Sequence, residues 1–279
     1  MEKKYIDLHL HSYYSDGIFS PEKVVRFAKS NNLSAISLTD HDTIHGIEKF
    51  IDEGAKHDIE IIPGIELSAF DEYEEDEVHI LGYYFDYKNK NLLKKLDYFA
   101  KTREHRVDSM IIKLKKMGIN INKEDIQIHE TNTVFGRLHV ARALVKLKIV
   151  KNITEAFNMY LNINKPAYVP KAQLSPEEAI NIILDAKGVP IIAHPKLNIK
   201  NEKSILRYIK AGLKGIEAYY PRYSNYDTQY YINFADKYDL CVTGGSDYHG
   251  DAKRAFVNMK IPYEILECLK KMKHQMDNE

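Results

Sequence analysis

Three features of the sequence predict an α/β chain folded as a seven-stranded, TIM-like (βα) barrel. Seven short apolar runs read as strands, at about 4–9, 34–38, 59–65, 78–85, 188–193, 214–218 and 240–244. Helical patterns follow most of them, and strands alternating with helices favour a parallel sheet or barrel. Between about 94 and 165 the rhythm breaks, strand signals vanish and helices dominate. That stretch predicts a helical insertion between the fourth and fifth strands.

The helix starts carry their own signals. One helix opens at Ser20-Pro21-Glu22 and another at Ser175-Pro176-Glu177-Glu178, each with serine as cap and proline in the first turn. Within the insertion, 94–117 forms one long charged amphipathic segment, with further helices at 137–148 and 153–161. The barrel is thus expected over 1–93 and 166–279, and the insertion over 94–165. An insertion of this kind often builds a wall of the substrate site.

Composition narrows the class. At 279 residues, with 44% hydrophobic and 29% charged residues, the chain suits one large soluble domain or two modest ones. Lys+Arg 40 balances Asp+Glu 40, so no bulk charge draws it to nucleic acid. No apolar stretch approaches the ~18 residues of a membrane span, and no signal peptide is visible. Cys241 and Cys268 predict no disulfide framework and suit a reducing cytoplasm, with Cys241 packed in a strand.

The chemistry lies at the predicted strand ends. His9 and His11, at i and i+2 on the first strand, point to one face and can converge on one ion. Asp16 follows in a Ser-Asp-Gly turn. Thr39-Asp40-His41-Asp42 ends the second strand; here Asp42 or Thr43 can cap the next helix while His41 binds metal. Asp40 reads as a ligand or as an acceptor that orients a histidine. Glu66 follows Pro63-Gly64-Ile65 at the end of the third strand, where a carboxylate needs a partner or a cation.

His79 is the awkward member, because it sits early in the fourth strand while barrel sites lie at C-terminal strand ends. Either this strand runs differently or its start approaches from another direction. His194 ends the fifth run, and Asp247 and His249 stand at i and i+2 after Gly244-Gly245-Ser246. Glu217 ends the sixth strand, as a contact to a metal-bound water or as half of a structural ion pair. Nitrogen and carboxylate ligands suit zinc, manganese and iron. A closed barrel brings such strand ends together, which predicts a multinuclear metal site and metal-assisted phosphoester hydrolysis.

Taken together, His9-x-His11, Asp16, Thr39-Asp40-His41, Pro63-Gly64-x-Glu66, His79, Ala193-His194-Pro195 and Ser246-Asp247-x-His249 resemble the PHP (polymerase and histidinol phosphatase) family. The resemblance spans nearly the whole chain. It implies a distorted (βα)7 barrel with two or three divalent ions. His9, His11, Glu66 and Asp247 would hold the first ion. Glu66 would bridge to a second, completed by His79 and His194, and Asp16, His41 and His249 would hold the third. Some relatives have His where this chain has Asp16, and an oxygen ligand favours harder ions such as manganese, with iron and zinc as alternatives.

Within that family the chain looks closest to the stand-alone nucleotide phosphoesterases, on Gly136-Arg137-Leu138-His139-Val140-Ala141 and Lys165-Pro166-Ala167-Tyr168-Val169-Pro170. The resemblance implies hydrolysis of nucleotide phosphomonoesters such as 3′,5′-bisphosphonucleotides, or trimming of short RNA from the 5′ end. The expected attack on phosphorus is in line, by a hydroxide held in the ligand set. A non-catalytic metal-stabilised module and an amidohydrolase are the other classes considered.

Arg137 and His139 are the expected contacts to a second phosphate, since guanidinium suits phosphate bidentately. They converge only if Gly136-Arg137 lies in the turn before the helix. Lys165 and Tyr168 are weaker expected contacts. Arg103 and Arg106 on the long helix are expected mainly on a solvated face. Tyr219, Tyr220, Tyr223 and Tyr226 are expected to stack a base or to pack at the rim.

Overall fold

The computed structural model describes residues 3–126, 134–170, 174–250 and 259–278. Its strands are β1 (Tyr5–Leu10), β2 (Leu33–Leu38), β3 (Glu60–Asp71), β4 (Asp76–Tyr83), β5 (Val189–Ile192), β6 (Gly215–Tyr219), β7 (Cys241–Gly244) and β8 (Ile261–Pro262). They form one sheet in the order β7-β6-β5-β4-β3-β2-β1-β8. A parallel bridge from Leu10 to Tyr248, just beyond β7, draws the two ends of the sheet together into a nearly closed barrel. The seven runs of the sequence are all present. β8 is an eighth strand, too short to leave a pattern of its own.

The helices are α1 (Pro21–Ser30), α2 (Ile47–His57), α3 (Lys90–Lys116), α4 (Arg137–Lys146), α5 (Ile153–Ala156), α6 (Pro176–Asp185), α7 (Glu202–Lys210), α8 (Asn225–Lys237) and α9 (Leu266–Asn278). α1 and α6 open where their capping residues place them. Ser20 Oγ accepts from the N–H of Lys23, and Ser175 forms a reciprocal capping box with Glu178. α2 differs from expectation. Its N-cap is Gly46, with no side-chain cap, and Asp42 stands apart in the left-handed region at φ 54°.

The distortion of the barrel is a hairpin. β3 runs past the end of its parallel partner β2 and pairs with β4 antiparallel, from Gly64 opposite Tyr83 to Asp71 opposite Asp76. β4 is antiparallel to β5 as well. The start of β4 therefore lies at the same end as the C-termini of the parallel strands, which is why His79 belongs there. For the same reason Glu66 is mid-strand in β3 and not at its end.

Apolar burial divides into clusters that match this layout. One gathers Ile6, Leu8, Ile62, Leu81, Tyr83 and Ile191 with Leu266 and Leu269 of α9. A larger one packs α6, α7 and α8 against the strands. Helices α3 to α5 have a cluster of their own, including Met110 and Leu114 of α3 and Val140 and Leu144 of α4. α3 belongs to both bodies, because its Leu92 and Leu96 pack in the barrel cluster.

Cys241 and Cys268 form a disulfide, against the expectation of none. α9 packs on β7 and brings Cys268 to a strand residue 27 positions earlier. That adjacency arises from the fold, and the spacing of two cysteines does not reveal it.

Candidate metal centre and substrate cavity

The ligand-type residues converge as the strand ends do. His9 and His11 leave β1 on one face, and both Nε2 atoms lie 3.3 Å from Glu66 Oε2. Asp247 Oδ1 faces the same two nitrogens at 3.6 and 3.3 Å. The other oxygen of Glu66 faces His79 Nδ1 at 2.8 Å and His194 Nε2 at 3.3 Å. His41 spans two groups, with Nδ1 3.0 Å from Glu66 Oε2 and Nε2 4.0 Å from Asp16 Oδ1. His249 Nε2 lies 3.1 Å from Asp16 Oδ1.

Among the described residues, four overlapping groups offer ligand atoms within 4.8 Å of one another. They are His11/Asp16/His41/His249, His9/His11/Asp247, His9/Glu66/His194 and His41/Glu66/His79. All nine residues expected as ligands thus stand in one cluster.

The donor set fits metal ions. His9 Nε2, both ring nitrogens of His11, His41 Nδ1, Glu66 Oε2 and His79 Nδ1 are buried without a hydrogen bond in proper geometry. Buried polar atoms are rarely left so, unless a cation takes the place of the hydrogen bond. The electrostatics agree. Burial pushes the Glu66 carboxyl up, but His41, His79 and His9 outweigh it and hold it well below the carboxylate range. Burial disfavours a charged His11, yet Asp247 and Glu66 push its pKa up to about 9. These carboxylates demand positive charge at the imidazole nitrogens, which a proton or a divalent cation supplies.

Three residues in or beside the cluster have left-handed backbone. Asp42, His194 and Asp247 have φ of 54°, 29° and 51°, a region that residues other than glycine seldom adopt. Such conformations collect at functional sites. Gly245 is required beside β1, because a Cβ there would stand 2.3 Å from the His9 Cβ.

The supporting residues sort differently from expectation. Glu217, fully buried, accepts from His9 Nδ1 at 2.9 Å and from the main-chain N–H of His194 at 2.8 Å. It orients two residues of the candidate ligand set directly. Among the described residues, Asp40 has no histidine within hydrogen-bond reach. It accepts from Ser12 N, Ser12 Oγ and Ser15 Oγ at 2.7, 2.6 and 2.6 Å, and so fixes the turn between His11 and Asp16. Asp42, expected as a helix cap, accepts from the Ser68 N–H at 2.9 Å and pairs with Arg103.

A cavity of about 490 Å³ opens from this cluster into the helical insertion. Asp16, His41 and His79 line its metal end, and Arg103, Arg106 and Arg137 its wall. Arg137 is the first residue of α4, after an extended Gly136, so it does lie in the turn that presents it. It pairs with Glu77 of β4 at 2.7 Å. His139 does not line the cavity; its Nδ1 accepts the N–H of Gly136 at 3.1 Å and holds that turn. Lys165 is exposed and also stands away from the lining. Tyr168 sits behind the wall, its ring 6.0 Å from the Arg106 guanidinium and 5.9 Å from that of Arg137.

Arg103 and Arg106 overturn the solvated-face expectation, being only 8% and 7% exposed. The sequence did carry a signal. Leu92, Leu96, Arg103, Val107, Met110 and Leu114 form the buried stripe of α3, and Arg103 occupies an inward place at helical spacing. Arg106 is held by the Val169 carbonyl at 2.8 Å, while its Nη2 is buried without a hydrogen bond. Burial lowers its pKa to about 10, Glu77 working against this and Arg137 and Arg103 adding to it.

Arg222 joins the lining and was not anticipated. Of the tyrosines, Tyr220 donates to Asp247 Oδ2 at 2.9 Å, Tyr223 accepts from the Lys196 N–H at 2.9 Å, and Tyr226 is exposed. Tyr219 is half-buried at the end of β6.

Known proteins share this layout. The PHP domain family matches residues 7–166. A Haemophilus influenzae 5′-3′ exoribonuclease is 34% identical over 253 residues, covering 89% of this chain and 91% of that protein. A 3′,5′-nucleoside bisphosphate phosphatase from Chromobacterium violaceum is 31% identical over 249 residues, covering 88% and 87%. A solved structure from Bifidobacterium adolescentis, described as a metal-dependent phosphoesterase, superposes with a TM-score of 0.87 at 26% identity over 96% of each chain. On its ligand cluster, its barrel and these likenesses, the chain belongs to the PHP domain family.

Proposed function

We propose that the chain hydrolyses nucleotide phosphomonoesters, with 3′,5′-bisphosphonucleotides as the best-fitting class. It is a metal-dependent hydrolase of phosphoric esters. The observation that carries the choice of substrate is one cavity that joins the ligand cluster to Arg103, Arg106 and Arg137. A bisphosphate places one phosphate at each end.

His9, His11, Asp16, His41, Glu66, His79, His194, Asp247 and His249 would hold two or three divalent ions, with manganese as the proposed native metal and iron or zinc as alternatives. When bound, such ions supply an activated water and neutralise phosphate charge. The chain's residues do the rest. Glu217 keeps His9 and His194 aimed inward. Arg137 and Arg106 meet the second phosphate with fork-shaped donors. Arg103, held by Asp42 and Ser68, fixes the insertion to the metal loop and adds charge.

The Haemophilus relative favours a second reading, 5′-3′ trimming of short RNA. The balance of 40 basic against 40 acidic residues argues against a long nucleic-acid track. Phosphate release from 3′,5′-bisphosphonucleotides, mononucleotides and 5′-phosphorylated oligonucleotides, with manganese loaded, tests both. Bisphosphonucleotides turned over fastest, with KM nearly independent of salt, are expected. Preference for oligonucleotides with a steep salt dependence would select the exonuclease.

A further inference from the structure

The cavity has a third region that neither the ligands nor the arginines account for. Its far wall is the turn after α5, where Phe157–Leu161 adopts a π-helix. Single π-helical turns are uncommon and occur often at functional sites. The Asn162 N–H closes this turn on the Phe157 carbonyl at 2.9 Å. A π turn takes up more residues than an α turn. Phe157, Asn158 and Asn162 all line the cavity, with Leu138 and Ile153 beside them.

In a 3′,5′-bisphosphonucleotide the ribose carries both phosphates and the base, so a contact to the base must lie near the phosphate-binding donors. The Arg137 guanidinium lies 5.8 Å from the centre of the Phe157 ring, so the aromatic wall adjoins the arginine wall. Asn162 Nδ2 donates to Asn158 Oδ1 at 3.4 Å. That contact does not use the Asn158 amide N–H groups or the Asn162 amide oxygen, so the pair still offers both a donor and an acceptor. Each of the common bases carries an acceptor beside a donor on one edge. Of the tyrosines after β6, Tyr220 is committed to Asp247 at the ligand cluster and Tyr226 is 79% exposed.

We propose that the π-helical turn is the base-recognition element, with Phe157 stacking on the nucleobase and the Asn158–Asn162 amide pair meeting its edge. This rests on the nucleotide reading above and assigns it to residues of the insertion. Stacking on a single aromatic side chain is strong enough to govern KM and is tolerant of base identity.

The test compares a 3′,5′-bisphosphonucleotide with ribose 3,5-bisphosphate, which lacks the base, on the manganese-loaded enzyme. The nucleotide should have the lower KM. Phe157→Ala should raise its KM about 10-fold, well beyond any change in the KM for the base-free substrate, which feels only the loss of packing on Arg137. Asn158→Ala, at an exposed position, gives a second variant with little risk to folding and should raise the same KM by a few-fold. If wild type turns over both substrates with equal KM, or if the variants affect both alike, base recognition by this turn is wrong while the bisphosphatase reading stands. If wild type turns over neither but cleaves other phosphomonoesters, the nucleotide reading falls and the inference falls with it.

Discussion

Glu217 joins two histidines of the candidate metal cluster with its two oxygens: Oε1 lies 2.9 Å from His9 Nδ1, and Oε2 accepts the His194 main-chain N–H at 2.8 Å. If His9 donates from Nδ1, its Nε2 is left bare toward Glu66 and Asp247. One carboxylate thereby sets a tautomer and holds the backbone of a residue at φ 29°. Glu217→Gln should weaken metal binding about 10–100-fold, because it keeps the shape and loses the charge that fixes the tautomer. Calorimetric titration with manganese would show this, and an unchanged affinity would remove Glu217 from the support of the site.

Arg103 ties the insertion to the barrel through Asp42 and Ser68. Arg103→Ala removes the guanidinium from Asp42, a carboxylate only 1% exposed. The expected loss of unfolding free energy is about 3–5 kcal/mol, with a rise in KM. Urea denaturation and steady-state kinetics measure the two effects. A loss below 1 kcal/mol would mean that water reaches Asp42 freely.

Gly245→Ala drives a methyl group against the His9 Cβ and N, at 2.3 and 2.4 Å in the present geometry. β1 must shift, and His9 with it. We expect about 1–3 kcal/mol of destabilisation and reduced metal content by elemental analysis. Retention of full metal content would show that the strand ends can separate without disturbing the ligands.

Chelation should both abolish phosphate release and lower the melting temperature. Free metal at a hundredfold its Kd stabilises the folded chain by about 2.7 kcal/mol, and that contribution disappears on stripping. Manganese should restore activity and melting temperature together. Recovery of melting temperature alone would favour a metal-stabilised module that does no catalysis.

Cys268→Ser opens the link between α9 and β7. Closing a loop of this sequence separation, 27 residues, is worth about 2–4 kcal/mol. Because Cys268 is exposed, reductant should reproduce the mutant's denaturation curve. No change with either treatment would show that packing of Leu266 and Leu269 suffices to hold α9.

The sequence by itself marked the repeating strands and helices, the helical stretch between the fourth and fifth strands, and the nine His, Asp and Glu residues that the fold gathers into one cluster. Those features are local: apolar runs, Ser-Pro caps, and His-x-His at strand spacing all act within a few residues of themselves. It left His79 unexplained, placed Asp42 as a cap, put Arg103 and Arg106 mainly in solvent and expected no disulfide. Each depends on a partner distant in sequence. His79 needed the antiparallel turn of β4, Arg103 needed Asp42 from 61 positions away, and Cys268 needed α9 laid across β7. Only the closed barrel sets these pairs, because burying the apolar strand faces fixes which strand ends and helix faces meet. The same closure decided that the substrate cavity would be walled by α3, α4 and the π-helical turn.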